Sequence, residues 1–201
     1  MSKLSLICLV MSLLFTDPIL AGVQVGVAKA DITPQESVPL AGYGGKTRMS
    51  QEIVHPIWLK AMAIRDELGQ TSVLVTADLV GLSDKMVDII AKNALEKYQL
   101  PRERLILNTS HNHSCPVTED VLWIYYEFSD QERAAKDRYT QMVYQRYDEV
   151  IAAALKDLKP AEISFEQGLA GIAVNRRRSR GPETRAFGGQ VDQDVPVLAV
   201  K

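Results

Sequence analysis

TSVLVTADLVGLSDKMVDIIAKNALEKYQLPRERLILNTSHNHSCP, residues 71–116, decides the fold. Thr71 to Thr76 is rich in β-branched residues, and the spacing predicts a strand over 71–79. Ser83 then stands where a helix N-cap is wanted. Met86, Ile89, Ile90, Ala94 and Leu95 follow on one helical face, with Lys92, Glu96 and Lys97 off it, so a helix is predicted over 83–98. Pro101 ends that region. Arg102-Glu103-Arg104 lead into a second apolar, β-prone run, predicted as a strand over 104–109. Strand, helix and strand at these lengths make one βαβ unit, whose strands run parallel with a right-handed crossover. The fold class that follows is α/β: a mixed sheet with packed helices, built around this unit.

The second strand empties into a polar tip, Asn108 to Cys115, closed by Pro116. Two of the three histidines of the chain, His111 and His113, lie there at i and i+2. In an extended backbone side chains alternate, so the two rings can point the same way. Open α/β sheets keep ligands just past the carboxyl ends of their strands. A catalytic zinc takes three protein ligands and keeps one position open, and His-x-His can supply up to two of them. The same spacing also occurs by chance on surface loops. His55 is the only other histidine, and no HExxH or CxxC accompanies the pair. Ser110 and Ser114 flank the histidines without a G-x-S-x-G elbow. Asp78, at the end of the first strand, can cap a turn, orient a histidine or ligate metal. Capping or hydrogen bonding is the commoner role for a carboxylate so placed.

Working outward, residues 23–32 alternate and are predicted as the first strand. Pro39 to Gly45 is a glycine-rich loop, with a spacing that fits neither a dinucleotide nor a phosphate-binding fingerprint. A second strand runs from Trp58 to Asp66 and turns at Glu67–Gln70. Trp123, Tyr125, Tyr126 and Phe128 form an aromatic stretch that can wall a pocket or cover the core. Residues 131–158 make the longest helix, with Tyr139, Met142, Val143, Tyr147, Val150, Ile151, Ala154 and Leu158 as a packing stripe. Residues 161–168 and 194–201 read as two further strands. Between them Arg176, Arg177, Arg178, Arg180 and Arg185 form either a solvated basic loop or guanidinium donors for an oxyanion. So apolar a last strand belongs inside a sheet, so the chain reads as cut.

Composition narrows the classes. The chain is 46% hydrophobic and 24% charged with a net charge of −2, which excludes disorder and gives no electrostatic reason for a nucleic-acid or anionic-membrane partner. Residues 1–21 differ from the rest: Lys3 precedes an apolar run from Leu4 to Phe15, and small residues follow at Ala21-Gly22. This is the pattern of a cleaved secretory signal peptide, leaving residues 22–201 for export, to the periplasm or beyond in a bacterium. Cys8 leaves with that leader. Cys115 is then a lone thiol: a buried small residue, a metal neighbour or a reactive group.

The ordered set VGVAKADITP (25–34), PLAGYGG (39–45), HPIWLKAMAI (55–64), LVTADLVGLS (74–83), LILNTSHNHSCP (105–116), VNRR (174–177) and DVPVLAVK (194–201) resembles the N-terminal part of the neutral/alkaline, non-lysosomal ceramidase family. The resemblance implies an exported, zinc-dependent amidase that hydrolyses the N-acyl bond of ceramide or a related lipid amide to a sphingoid base and a fatty acid. It also implies a lipid substrate met at a membrane surface. His111 matches the first histidine of the family's HTHSGP-like string, a direct zinc ligand. His113 matches the second, which lines the active site, and Arg176 the arginine near the substrate carbonyl. Gly44, His55 and Asn175 match substrate-binding positions around the same pocket. The chain departs from the family string at Asn112, usually Thr, and at Cys115, usually Gly, and its arginine run is longer. In the family a further zinc-binding histidine, the serine nucleophile and the Glu and Tyr ligands come later, so the chain resembles the incomplete first portion of a larger catalytic domain. Two other readings stand beside this one: an exported non-catalytic binding module on the same scaffold, and an esterase or amidase using Cys115 with His113.

Overall fold

The computed structural model describes residues 22–43, 48–175 and 190–201. Three strands in chain order, β1 (Gln24–Asp31), β2 (Trp58–Arg65) and β3 (Thr71–Ala77), form an antiparallel meander. The β2–β3 turn is held by the Asp66 side chain, whose Oδ1 accepts the backbone N–H groups of Leu68 and Gln70. After β3 the chain enters helix α1 (Asp84–Tyr98), and Ser83 caps it by accepting the Met86 N–H. The chain returns as β4 (Leu105–Thr109), which pairs with β3 in parallel from Val73↔Leu105 to Ala77↔Thr109. The βαβ unit is therefore present, with both strands a little shorter than predicted.

A long helix, α2 (Asp130–Lys156), leads to the short edge strand β5 (Lys159–Pro160), and the sheet order is β4-β3-β2-β1-β5. Its start is fixed by a capping box between Ser129 and Glu132. Alternation along the strands sends Leu59, Ala61, Ala63, Val73, Val75, Ala77 and Leu105 into the core. From α2 come Tyr139, Val143, Tyr147, Val150, Ile151 and Ala154, all buried. Of the expected stripe, Met142 and Leu158 are only partly buried. Large helix side chains thus meet small residues on β1 and β2, Gly26, Ala61 and Ala63. Gly26 is the tightest point: a Cβ there would lie 2.1 Å from the Ala154 carbonyl oxygen and 2.7 Å from the Leu158 nitrogen. Nothing larger than glycine lets β1 pass the end of α2. Leu95, placed by its spacing on the packed face of α1, is instead 53% exposed, because the helix buries only the narrower stripe of Met86, Ile90 and Ala94.

The last two strands, β6 (Ile163–Leu169) and β7 (Asp194–Val200), pair antiparallel as a separate two-stranded sheet. Phe165, Leu169, Val197 and Leu198 are exposed on it. The described chain is thus a mixed α/β unit with a separate two-stranded sheet.

Candidate functional site

The site is built where β3 and β4 end side by side. Parallel bonding persists beyond both strands, with the Ser110 N–H on the Ala77 carbonyl (2.9 Å) and the Asn112 N–H on the Leu79 carbonyl (3.2 Å). Between these two bonds the backbone is not extended: His111 has φ +55°. The alternation argument for the two rings therefore fails at His111, although its result stands. A left-handed conformation costs a non-glycine residue about 1–2 kcal/mol, a strain that surrounding contacts must hold. The compensating contact is clear. His111 Nδ1 lies 2.7 Å from the Val80 carbonyl oxygen. A carbonyl can only accept, so Nδ1 carries a proton, and in the neutral imidazole the free lone pair is the one on Nε2. This is the arrangement that orients and tunes a metal-binding histidine.

The His113 ring stands 4.7 Å from the His111 ring, edge to face at 70°. Its other ring neighbour is Tyr43, at 5.4 Å and 79°, over which the Arg48 guanidinium lies at 4.8 Å. The glycine-rich segment is pinned to the histidine loop by the Ala41 N–H on the Cys115 carbonyl (2.8 Å) and the Val117 N–H on the Pro39 carbonyl (2.8 Å). Gly42, at φ +107°, faces His113 so closely that a Cβ would come within 2.6 Å of the His113 Cα. Its own N–H is donated to the Tyr126 hydroxyl at 2.9 Å. The aromatic stretch consequently divides. Tyr126 is buried and stacks on Phe128 at 5.8 Å, whereas Trp123 and Tyr125 are exposed.

Cys115 is fully buried and donates to the Asn112 carbonyl at 3.0 Å. Burial pushes its thiol up to about 11. That removes the ready thiolate a cysteine nucleophile needs, and Cys115 takes the role of a buried small residue. Asp78 plays the hydrogen-bonding part: Oδ2 accepts the Trp58 N–H at 3.0 Å and Oδ1 the Ser110 hydroxyl at 3.4 Å. Asn112 Oδ1 accepts the Ser114 N–H at 2.8 Å, closing the turn after His111. Asn112 and Cys115, the two departures from the string read above, thus stabilise one tight turn together.

Of the remaining candidates, His55 and Asn175 are among the described residues. His55 lines a cleft with Asn112, Ser114, Pro116, Ile53 and Ile57, a lining that includes neither His111 nor His113. The Asn175 amide donates to the Gln190 carbonyl at 3.2 Å, at the two ends of the arginine-rich segment. Gly44 and Arg176 lie outside the described residues, as do residues 1–21. Among the described residues no three His, Cys, Asp or Glu side chains come together around a common point. What they supply is one oriented histidine nitrogen with a second imidazole beside it. Sequence reasoning missed Tyr43 and Gly42. The only hint of their part was the glycine-rich composition of Pro39 to Gly45, and the structure shows what it serves: the close approach of Gly42 to His113.

A family model described as neutral/alkaline non-lysosomal ceramidase, N-terminal, matches residues 23–201. Comparison with curated protein sequences gives no match. Among solved structures, the neutral ceramidase from Pseudomonas aeruginosa superposes with a TM-score of 0.69 at 20% identity, over 90% of this chain and 29% of that one. A structure described as ceramidase complexed with C2 gives 0.67 at 19% identity, again over 90% and 29%. The chain therefore spans 29% of the length of each of these two structures.

Proposed function

The chain belongs to the neutral/alkaline non-lysosomal ceramidase family, and on that premise we propose that it carries part of the active site of an exported, zinc-dependent amidohydrolase acting on ceramide or a related lipid amide. The observation that carries the proposal is the His111 Nδ1–Val80 carbonyl bond at 2.7 Å, which leaves Nε2 available as a ligand at the mouth of a parallel strand pair. Zinc, when bound, supplies Lewis-acid polarisation of the amide carbonyl.

His111 is the zinc ligand in this reading, and its left-handed backbone is the strain stored at the functional position. His113, edge-on to it, presents an imidazole that can hydrogen-bond the amide being cleaved. Arg176, next to Asn175, is the donor for the carbonyl oxygen, and Gly44 and His55 border the substrate. The substrate is a lipid amide met at a membrane surface. Residues 1–21 are the leader that takes the protein there, and Gly22 becomes the first residue once it is removed.

The test uses the full-length gene product, with zinc content by elemental analysis and fatty-acid release from a fluorescent short-chain ceramide. His111→Ala is expected to lose stoichiometric zinc and to drop hydrolysis to background, and chelation of the wild-type protein to do the same. Unchanged metal content and activity in His111→Ala would overturn the proposal and leave a binding module on this scaffold.

A further inference from the structure

The contacts around His113 point to a positioning device that neither its sequence spacing nor the family assignment describes. Among the described residues no hydrogen bond fixes the His113 ring. Its orientation comes from packing. The His111 ring meets it at 4.7 Å and the Tyr43 ring at 5.4 Å, both edge to face. Gly42 closes against its Cα, Cβ and Cγ, all within 2.7 Å of where a glycine-replacing Cβ would stand. An imidazole without a hydrogen bond rotates freely about its Cβ–Cγ bond unless neighbours block it, and edge-to-face aromatic contacts are directional enough to do so.

We propose that Tyr43 is a positioning residue for His113, held in turn by the Arg48 guanidinium over its ring and by the Gly42–Tyr126 hydrogen bond on the preceding residue. Tyr43 does this although 58% of its surface is exposed, so its contact with His113 is not a by-product of core burial. The guanidinium of Arg48 lies over the tyrosine ring at 4.8 Å, a cation–π contact that restrains that ring. The Gly42 N–H is donated to the Tyr126 hydroxyl at 2.9 Å, and this fixes the backbone from which Tyr43 projects. Tyr126 is buried and stacked on Phe128, so the anchor is rigid. The ring, not the hydroxyl, of Tyr43 performs the task. The consequence for catalysis rests on the amidohydrolase reading above; the packing role does not.

The experiment compares Tyr43→Phe, Tyr43→Ala and Tyr126→Phe in the full-length gene product. The readouts are kcat and KM on a fluorescent ceramide, thermal midpoint, and the ring-proton shifts of isotope-labelled histidine in zinc-free protein. Tyr43→Phe is expected to match the wild type. Tyr43→Ala is expected to lower kcat by on the order of tenfold, below the hundredfold that a 1 Å misplacement can cost, with KM and melting unchanged. The His113 ring signals lose the ring-current shift that Tyr43 gives them. Tyr126→Phe, which frees the Gly42 N–H alone, shifts the same signals less and in the same direction. Unmoved His113 signals in Tyr43→Ala would overturn the proposal, as would a Tyr43→Phe protein as impaired as Tyr43→Ala. If the wild-type protein hydrolyses no ceramide, the functional reading fails, and the histidine spectrum decides the positioning role by itself.

Discussion

A thiol reacts as its thiolate, and Cys115 is placed where ionisation is hard. Its sulfur is buried, donates to the Asn112 carbonyl, and is pushed up to about 11. At pH 8 that leaves about one part in a thousand as thiolate. In a Cys8→Ser background, the native protein is expected to resist a maleimide reagent at neutral pH. Labelling should rise as the pH climbs towards 11, or at once in denaturant. Rapid stoichiometric labelling of folded protein at pH 7 would bring the cysteine-nucleophile reading back. The histidine pair next to this thiol was legible in the sequence from residue type and place, at the tip of a strand. The geometry behind it was not. A left-handed φ at His111 and a bond to Val80, 31 residues earlier in the chain, are tertiary facts that i, i+2 spacing does not contain.

At the scale of elements, small residues on β1 and β2 set how deeply α2 sits. The critical residue is Gly26, because the atoms nearest to an added Cβ all belong to the backbone and cannot swing aside. Gly26→Ala is expected to destabilise by about 1–3 kcal/mol, the usual cost of overpacking. The shift would be seen as a lower denaturant midpoint at unchanged slope. An unchanged midpoint would mean that the end of α2 is not docked on β1. The elements themselves were largely legible. Ser83 with a 3.6-residue stripe marked α1, and the repeated aromatics and aliphatics marked α2. Leu95 misled because a stripe read from sequence is wider than the face a neighbour actually covers. Gly26 gave no sign of its role, since which strand a helix crosses most closely depends on topology rather than on local pattern.

For the whole molecule, what matters is how much of a catalytic site 201 residues can hold. Family membership is carried by residues 23–201, yet the two solved ceramidases are each covered over 29% of their length. Among the described residues the site offers one oriented histidine nitrogen and a neighbouring imidazole, with no third His, Cys, Asp or Glu gathered beside them. The isolated 201-residue chain is therefore expected to release no fatty acid from ceramide above background. Chelator-sensitive turnover by that chain would contradict this. The family was legible because seven motifs fall in collinear order, a constraint far stronger than any one of them. Of the substrate-side residues that the resemblance implies, Asn175 is tied to Gln190 and His55 lines a neighbouring cleft, tertiary placements that motif order does not contain; Gly44 and Arg176 lie outside the described residues.

The parallel pairing of β3 with β4 also sets an order of events. The strands β1, β2 and β3 pair with their chain neighbours, and the β2–β3 hairpin closes through a tight turn. β4 can join only after α1 has been traversed, and the loop beyond it must then find Pro39 and Ala41 far back along the chain. Contacts between residues distant in sequence bear a larger loop-closure entropy and form late. The contacts of the histidine loop with Pro39 and Ala41 join residues far more distant in sequence than the pairs among β1 to β4 do, so docking of this loop is expected among the later events. Substitutions within 110–117 are therefore expected to raise the unfolding rate and leave the folding rate unchanged, which the two arms of a denaturant chevron check. The chemistry of this loop can then vary while the route to the fold stays the same.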